Sequence, residues 1–118
     1  MSARPRKPRR KIARKINRPA LIFAALGDAT RLRLVERMCA AGPMSISRLA
    51  KGSPVTRQAV TKHLQVLASA GLASSSPVGR ERVWEFEREP LDAARECLDG
   101  ISAQWDQALG RLKKFVEE

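Results

Sequence analysis

The chain has 118 residues, 43% of them hydrophobic, and carries a formal net charge of +11. This length suits one domain with a single core, and the apolar content excludes a chain that is disordered throughout. Two cysteines are too few for a fold held together by a disulfide framework.

The first predicted element is a basic arm. Residues 1–18 contain nine Lys or Arg and no acid, whereas residues 85–118 sum to −4. The arm has too little apolar content to fold alone, so we predict that it is flexible. Its charge favours a polyanionic partner such as nucleic acid, and a solubilising tail is the alternative.

Two helices open the predicted core, which spans residues 19–88. Pro19 suits the first turn of a short helix that ends near Gly27. Asp28 can cap a second helix, ATRLRLVERMCAA, which stops before a Gly-Pro pair. The inward residues expected on this second helix are Leu32, Val35, Met38 and Cys39.

The apolar run ALIFAAL in the first helix raises the question of export. It is far shorter than the about 20 apolar residues of a membrane span, and it continues into a charged amphipathic helix. We therefore expect neither a signal peptide nor a membrane segment. A cytoplasmic protein is the prediction.

A short helix, a turn and a longer helix follow. Ser45 can cap ISRLAKG, with Ile46, Leu49 and Ala50 inward, and GSPV forms the turn. Thr56 then caps the helix that fills the stretch TRQAVTKHLQVLASAGL, which Gly71 ends. At about 100° per residue, one side of this helix is apolar and includes His63 and Val66.

The opposite face of this longer helix contains no Asp or Glu and is interrupted only by Ala68. Such a face is typical of a recognition helix, because carboxylates would be repelled by DNA phosphates. Arg and Lys suit guanine or phosphate, Gln suits adenine, and Thr suits a base edge or a thymine methyl group. A solvated face is the alternative, but it would often include acids for pairing with Lys or Arg one turn away.

Residues 72–86 predict a short β-hairpin, because apolar and polar residues alternate toward its end. Leu72 begins the first strand and Pro77-Val78-Gly79 forms the turn. Arginines at the hairpin suit the DNA backbone or the minor groove. The predicted DNA contacts are Thr56, Arg57, Gln58, Thr61, Lys62, Gln65, Arg80 and Arg82.

From Pro90 a long helix runs almost to the end and carries two apolar rows at heptad spacing. Such rows form a seam for another helix. Packing on the chain's own domain is the alternative, but a small core has limited surface to cover so long a stripe. We therefore predict a dimerisation helix over residues 89–118, with its interface at Leu91, Ala94, Leu98, Ile101, Trp105, Ala108, Leu112 and Phe115.

No arrangement of residues indicates catalysis or a cofactor. His63 is the only histidine, and it lies in the apolar arc of its helix, where a packed residue is expected. Cys39 and Cys97 fall in helical patterns and are expected to act as small hydrophobic residues, with a redox pair as the alternative. We predict neither an enzyme nor a metal site.

The order of these elements is that of a winged helix-turn-helix. LGDATRLRLVERM, ISRLA, VTRQAVTKHLQVLASAGL and GRERVWEFEREPL, with the last helix, resemble the ArsR/SmtB family of bacterial winged-helix repressors. The resemblance covers roughly residues 19–116, and TKHLQVLASAGL is its most specific part. It implies a mainly α fold with a small β-hairpin and a homodimer built from the first and last helices.

The resemblance also implies a function. Members repress transcription from palindromic operators, and Arg57, Gln58, Thr61 and Lys62 match the places that contact bases and phosphates. Many members release DNA on binding a metal. Here MSISRLA replaces the cysteine motif of the third helix and the last helix has no His, so sensing through those sites is not expected. The sequence does not indicate an effector.

We therefore predict a dimeric, sequence-specific transcriptional repressor that binds double-stranded DNA. The two recognition helices would enter successive major grooves about 34–36 Å apart. One alternative is a non-specific architectural DNA-binding protein driven by the basic arm. Another is a protein–protein module whose seam binds a different partner.

Overall fold

The computed structural model describes residues 18–117. All of the predicted basic arm except Arg18 lies outside the described residues. In chain order the elements are α1 (residues 18–26), α2 (Ala29–Ala41), β1 (Met44–Ser45), α3 (Ile46–Ala50), α4 (Arg57–Ser69), β2 (Ala73–Val78), β3 (Glu81–Phe86) and α5 (Leu91–Glu117).

The predicted helix caps are confirmed. The Asp28 carboxylate accepts a hydrogen bond from the backbone N–H of Arg31 at 3.0 Å, and the Thr56 hydroxyl accepts one from Ala59 at 3.1 Å. Ser45 does the same at the start of α3. These side chains satisfy backbone N–H groups that have no partner within a helix, so α2, α3 and α4 begin where the sequence places them.

The core lies where α1, α2, α3 and α4 meet the base of the small sheet. On α2 the buried residues are Leu34, Val35 and Met38. The prediction that Leu32 and Cys39 point inward is wrong: both are exposed. The reason is that α2 packs against α4 on one side and β3 on another, which centres its buried face on Leu34 and Met38.

The buried arc of α4 is also rotated from the expected one. Val60, Leu64 and Leu67 are completely buried and define its centre. Val66 lies beyond one edge and is 41% exposed, contrary to the prediction. Ala68 lies within the other edge and packs against the core, so it does not belong to the polar face.

The hairpin forms with a different turn from the predicted one. Pro77 and Val78 belong to β2, where they pair with Arg82 and Glu81. The turn consists of Gly79 and Arg80, because Gly79 has φ 64°, which suits glycine at the first position of a two-residue hairpin turn. Proline is tolerated in β2 because this strand lies at the edge of the sheet.

Two further details of the sheet differ from the prediction. Leu72 is buried but precedes β2, after Gly71 has ended α4 with φ 79°. The short strand β1 adds to the hairpin in the order β1-β3-β2, with Met44 opposite Trp84. Two residues are too few to show an alternating pattern, so the sequence gives no signal for β1.

The last helix has 27 residues and is therefore about 40 Å long. Its first turn packs on the core through the half-buried Leu91 and through Ala94, which is 5% exposed. Beyond Cys97 its residues are exposed, except for the half-buried Ala108. Within residues 18–117, none of the helices combines the length and apolar character needed to cross a bilayer.

Candidate nucleic-acid interface

The exposed face of α4 carries most of the predicted DNA contacts. Arg57, Gln58, Lys62 and Gln65 are exposed, and α4 contains no carboxylate. The Thr61 hydroxyl donates to the carbonyl of Arg57 at 3.1 Å, which engages its proton and leaves an oxygen lone pair and the methyl group for other contacts. Thr56 is exposed at the N-terminus of the helix, where its hydroxyl caps α4.

The turn between α3 and α4 is held by Arg37, a residue that sequence reasoning missed. Its guanidinium donates to the carbonyl of Leu49 at 2.6 Å, of Arg48 at 2.9 Å and of Lys51 at 3.3 Å. These carbonyls end α3, and a cation is favourable at a helix C-terminus. The Arg37 side chain contacts backbone carbonyls that are more than ten residues away along the chain. Such contacts produce no periodic pattern from which the sequence could predict them.

Two more basic side chains adjoin this surface. Arg48 and Lys51 are exposed on and just after α3, and α3 packs against α4. In helix-turn-helix proteins the helix that precedes the recognition helix crosses the DNA backbone. The sequence contained a signal for these two residues, because both basic side chains of ISRLAKG are in or next to a predicted helix of the helix-turn-helix. The helical periodicity alone does not indicate a DNA contact.

The hairpin carries the remaining predicted contacts, and its first strand, β2, packs against α4. Arg80 is exposed in the two-residue turn. Arg82 is exposed on β3, and its Nη1 donates to the Ser75 hydroxyl at 2.9 Å, which directs the guanidinium across the face of the hairpin. The structure therefore places both predicted hairpin arginines, exposed, at the tip of the hairpin.

The polar group on the inner side of α4 is His63. Its Nδ1 lies 3.2 Å from Nη1 of Arg31 and 3.8 Å from Oδ2 of Asp28. The hydrogen bond from the backbone N–H of Arg31 is the main cause that lowers the pKa of Asp28, and the charge of Arg31 lowers it further. Among residues 18–117, no three His, Cys, Asp or Glu side chains cluster as metal ligands do.

The seam on α5 begins later than the sequence suggests. Leu91 and Ala94 pack on their own core, so the uncovered part starts at Leu98. Trp105 is 64% exposed and Phe115 is 79% exposed. Sequence reasoning missed two exposed members of the same face, which the i, i+4 spacing of a helix could have indicated: Leu109 and Val116.

The two cysteines lie at different places and both are free thiols. Cys39 is exposed on α2, and Cys97 is half-buried in an open groove of about 1090 Å³ between α1, the end of α4 and the start of α5. The two cysteines therefore do not form a disulfide in this structure, as a redox pair would when oxidised.

Comparison with known proteins gives these features a context. A helix-turn-helix domain family matches residues 26–75. The HTH-type transcriptional regulator Rv2034 of Mycobacterium tuberculosis is 41% identical over 99 residues, which cover 84% of this chain and 89% of that protein. The structure of an ArsR-like transcriptional regulator from Rhodococcus sp. RHA1 superimposes with a TM-score of 0.72 at 37% identity, covering 85% of this chain and 93% of that one.

The chain belongs to the ArsR-like family of helix-turn-helix transcriptional regulators. This ArsR-like regulator therefore acts through a DNA-binding domain and is not an enzyme. Its fold also matches the homodimeric winged helix-turn-helix DNA-binding domain of a possible ArsR-family regulator from Mycobacterium bovis. That match has a TM-score of 0.61 at 22% identity and covers 94% of this chain and 93% of that one. The predicted fold class is confirmed.

Proposed function

We propose that the protein is a homodimeric transcriptional repressor that binds a palindromic operator through α4 of each subunit. The observation that carries this proposal is the exposed, carboxylate-free face of α4. An α-helix fits the major groove of DNA, where base edges present the donors and acceptors that Arg, Gln and Thr match. The cytoplasmic location predicted from the sequence follows from this function.

Each side chain on the face has a role that its chemistry supports. Arg57 and Lys62 suit guanine or phosphate, and Gln58 and Gln65 suit adenine. Thr61 presents its methyl group to thymine, since its hydroxyl proton is engaged by Arg57. Arg80 and Arg82 extend from the hairpin to the flanking phosphates or minor groove.

The seam on α5 supports a dimer. The apolar face from Leu98 to Val116 is uncovered, and such a contiguous patch is characteristic of an interface between proteins. The first part of α5 carries Asp92, Glu96 and Asp99 with one Arg, and the last part carries Arg111, Lys113 and Lys114 with one Glu. Antiparallel pairing of two α5 helices places acidic segments beside basic ones, whereas parallel pairing opposes like charges.

The operator follows from the symmetry of such a dimer. A two-fold interface repeats the same recognition helix in opposite orientations, so each subunit reads the same half-site and the full site is palindromic. Centres of the half-sites lie one helical turn apart. A dimer bound there blocks other proteins from the same stretch of duplex, and repression is the outcome that we propose.

The test begins with selection of a binding site from random duplexes, followed by affinity measurement. Arg57→Ala with Lys62→Ala should weaken specific binding on the order of 100-fold, because each base contact is worth about 1–3 kcal/mol. Arg33→Ala with Arg88→Ala removes two positive charges at exposed positions outside α4 and should cost far less. Wild-type affinity in the Arg57/Lys62 variant would contradict the assignment.

A reporter gene behind the selected site tests the regulatory direction. Expression should fall when the protein is supplied and recover with the Arg57/Lys62 variant. Higher expression in the presence of the wild-type protein would show that the protein is an activator and not a repressor. Equal affinity for every duplex would instead favour the architectural alternative.

A further inference from the structure

His63 lies on the side of α4 that faces away from the proposed DNA surface. Its side chain is 23% exposed, and it points toward the junction of α1 and α2. The rest of the inner face is formed by apolar residues, among them Val60, Leu64 and Leu67. Close packing of these side chains sets which face of α4 is inward, and a hydrogen bond adds a directional contact to that packing.

The partner of His63 is Arg31, near the start of α2. The guanidinium also donates from Nε to the carbonyl of Ala25 at 2.6 Å and from Nη2 to the carbonyl of Ala24 at 3.4 Å. Both carbonyls belong to the last turn of α1, where a cation is favourable. One side chain therefore joins the end of α1 to the middle of α4.

The chemistry of this contact sets the direction of the hydrogen bond. A guanidinium can only donate, so Nδ1 of His63 is the acceptor. Asp28 supports Arg31 from the other side, since its carboxylate accepts from the Arg31 backbone N–H while it caps α2. Hydrogen bonds are directional, so this arrangement adds a directional restraint on α4 to that of the apolar packing.

The other end of α1 contacts the base of α5. Arg18, at the start of the described part of α1, forms an ion pair with Glu89 at 2.8 Å, two residues before α5 begins. Arg18 and Arg31 therefore contact the two ends of α1, and Arg31 continues this set of contacts to His63 on α4.

We propose that Arg31 is a positioning residue for DNA binding, which acts through His63 to set the orientation of α4 relative to α1. This inference rests on the proposed function, because orientation matters only if two α4 helices must fit one operator. A small change in the tilt of α4 relative to α1 changes the separation of the N-termini of the two α4 helices in the dimer. The contact therefore sets which spacing of half-sites is accepted.

The experiment compares His63→Leu with His63→Asn. Leucine removes the acceptor, whereas asparagine can place an amide oxygen near the position of Nδ1. Affinity is measured on the selected operator and on derivatives with one or two base pairs added or removed between half-sites. Melting temperature and affinity for a random duplex are measured in parallel.

The leucine variant should bind the operator about tenfold more weakly, the scale of a hydrogen bond to a charged group, with a flatter dependence on spacing. Affinity for the random duplex should not change, and asparagine should restore both affinity and spacing preference. An unchanged spacing preference in the leucine variant overturns the proposal. So does a loss that asparagine fails to restore, because packing alone then accounts for the effect.

A second pair of variants tests the proposal if the His63→Leu protein does not fold. Arg31→Lys keeps the charge but cannot reach His63 and both carbonyls of α1 at once, and Arg33→Lys makes the same change at an exposed position of α2. Only the Arg31 variant should lose spacing preference, and equal behaviour of the two overturns the proposal. A wild-type protein without specific binding contradicts the proposed function itself, before any variant is compared.

Discussion

Trp84 lies directly opposite Met44 in the antiparallel ladder between β3 and β1. Both side chains are buried, at 6% and 4% exposure. Met44 immediately precedes Ser45, the residue that caps α3, so the ladder joins the base of the hairpin to the first helix of the helix-turn-helix. The indole therefore belongs to the core that positions the candidate DNA surface.

Trp84→Ala should be strongly destabilising because it leaves a cavity between the sheet and the helices. We expect the free energy of unfolding to fall by about 3–5 kcal/mol. Urea denaturation followed by circular dichroism measures it, at one fixed protein concentration because a dimer's stability depends on concentration. Trp84→Phe is the matched control: no residue among 18–117 accepts a hydrogen bond from the indole Nε1, so Phe should cost clearly less. Equal stability of the wild-type and Ala proteins would show that burial of the indole does not stabilise the fold.

How much of this arrangement the sequence predicts depends on the range of the interactions. Asp28 and Thr56 could be identified because a cap acts within three residues. The burial of Leu34 instead of Leu32 depends on where α4 and β3 lie relative to α2, which no local pattern contains. The same holds for β1, which forms only because β3 offers it an edge.

In the candidate site, too, the features that depend on local sequence could be predicted and those that depend on contacts between elements could not. The polar face of α4 could be predicted from spacing, because the side of a helix on which a residue lies follows from its periodicity. The contacts of Arg31 and Arg37 could not, since each joins a side chain to groups in another element. Sequence reasoning therefore found the exposed polar residues of α4 and missed Arg31 and Arg37, whose guanidinium groups contact other elements.

Leu112→Glu tests the proposed dimer. Leu112 is 58% exposed in the middle of the seam, and burying a carboxylate there against a second helix is costly. We expect the variant to sediment as a monomer at micromolar concentration, where the wild type sediments as a dimer, and to bind the operator weakly. Gln107→Glu adds the same charge at an exposed position on the opposite side of α5 and should remain dimeric. A wild-type monomer would instead favour a module that binds a different partner.

Deletion of residues 1–17 separates specific recognition from binding driven by the basic arm. The deletion removes eight Lys or Arg and keeps Arg18, which pairs with Glu89. Affinity for all duplexes should fall, and the slope of log affinity against log salt should become shallower by about 0.9 for each phosphate that the shortened protein no longer neutralises. Preference for the selected operator over random DNA should persist. Loss of that preference would identify the arm, and not α4, as the source of DNA binding.

Asp28→Asn tests the link between the cap of α2 and stability in acid. The pKa of Asp28 is lowered from 3.8, chiefly by the backbone N–H of Arg31, so folding favours the ionised carboxylate. A group with a depressed pKa contributes stability above its unfolded pKa and loses that contribution as pH falls through the folded value. Asparagine still caps a helix but does not titrate, so it lacks this pH-dependent part.

Melting temperatures between pH 7 and pH 3 give the measurement. The difference between wild type and Asp28→Asn should be constant well above pH 3.8 and should shrink as the solution is acidified below it. Asp106→Asn removes one negative charge from an exposed position on α5 and controls for the change in net charge. A difference that stays the same down to pH 3 would mean that the bond to Arg31 does not favour the carboxylate.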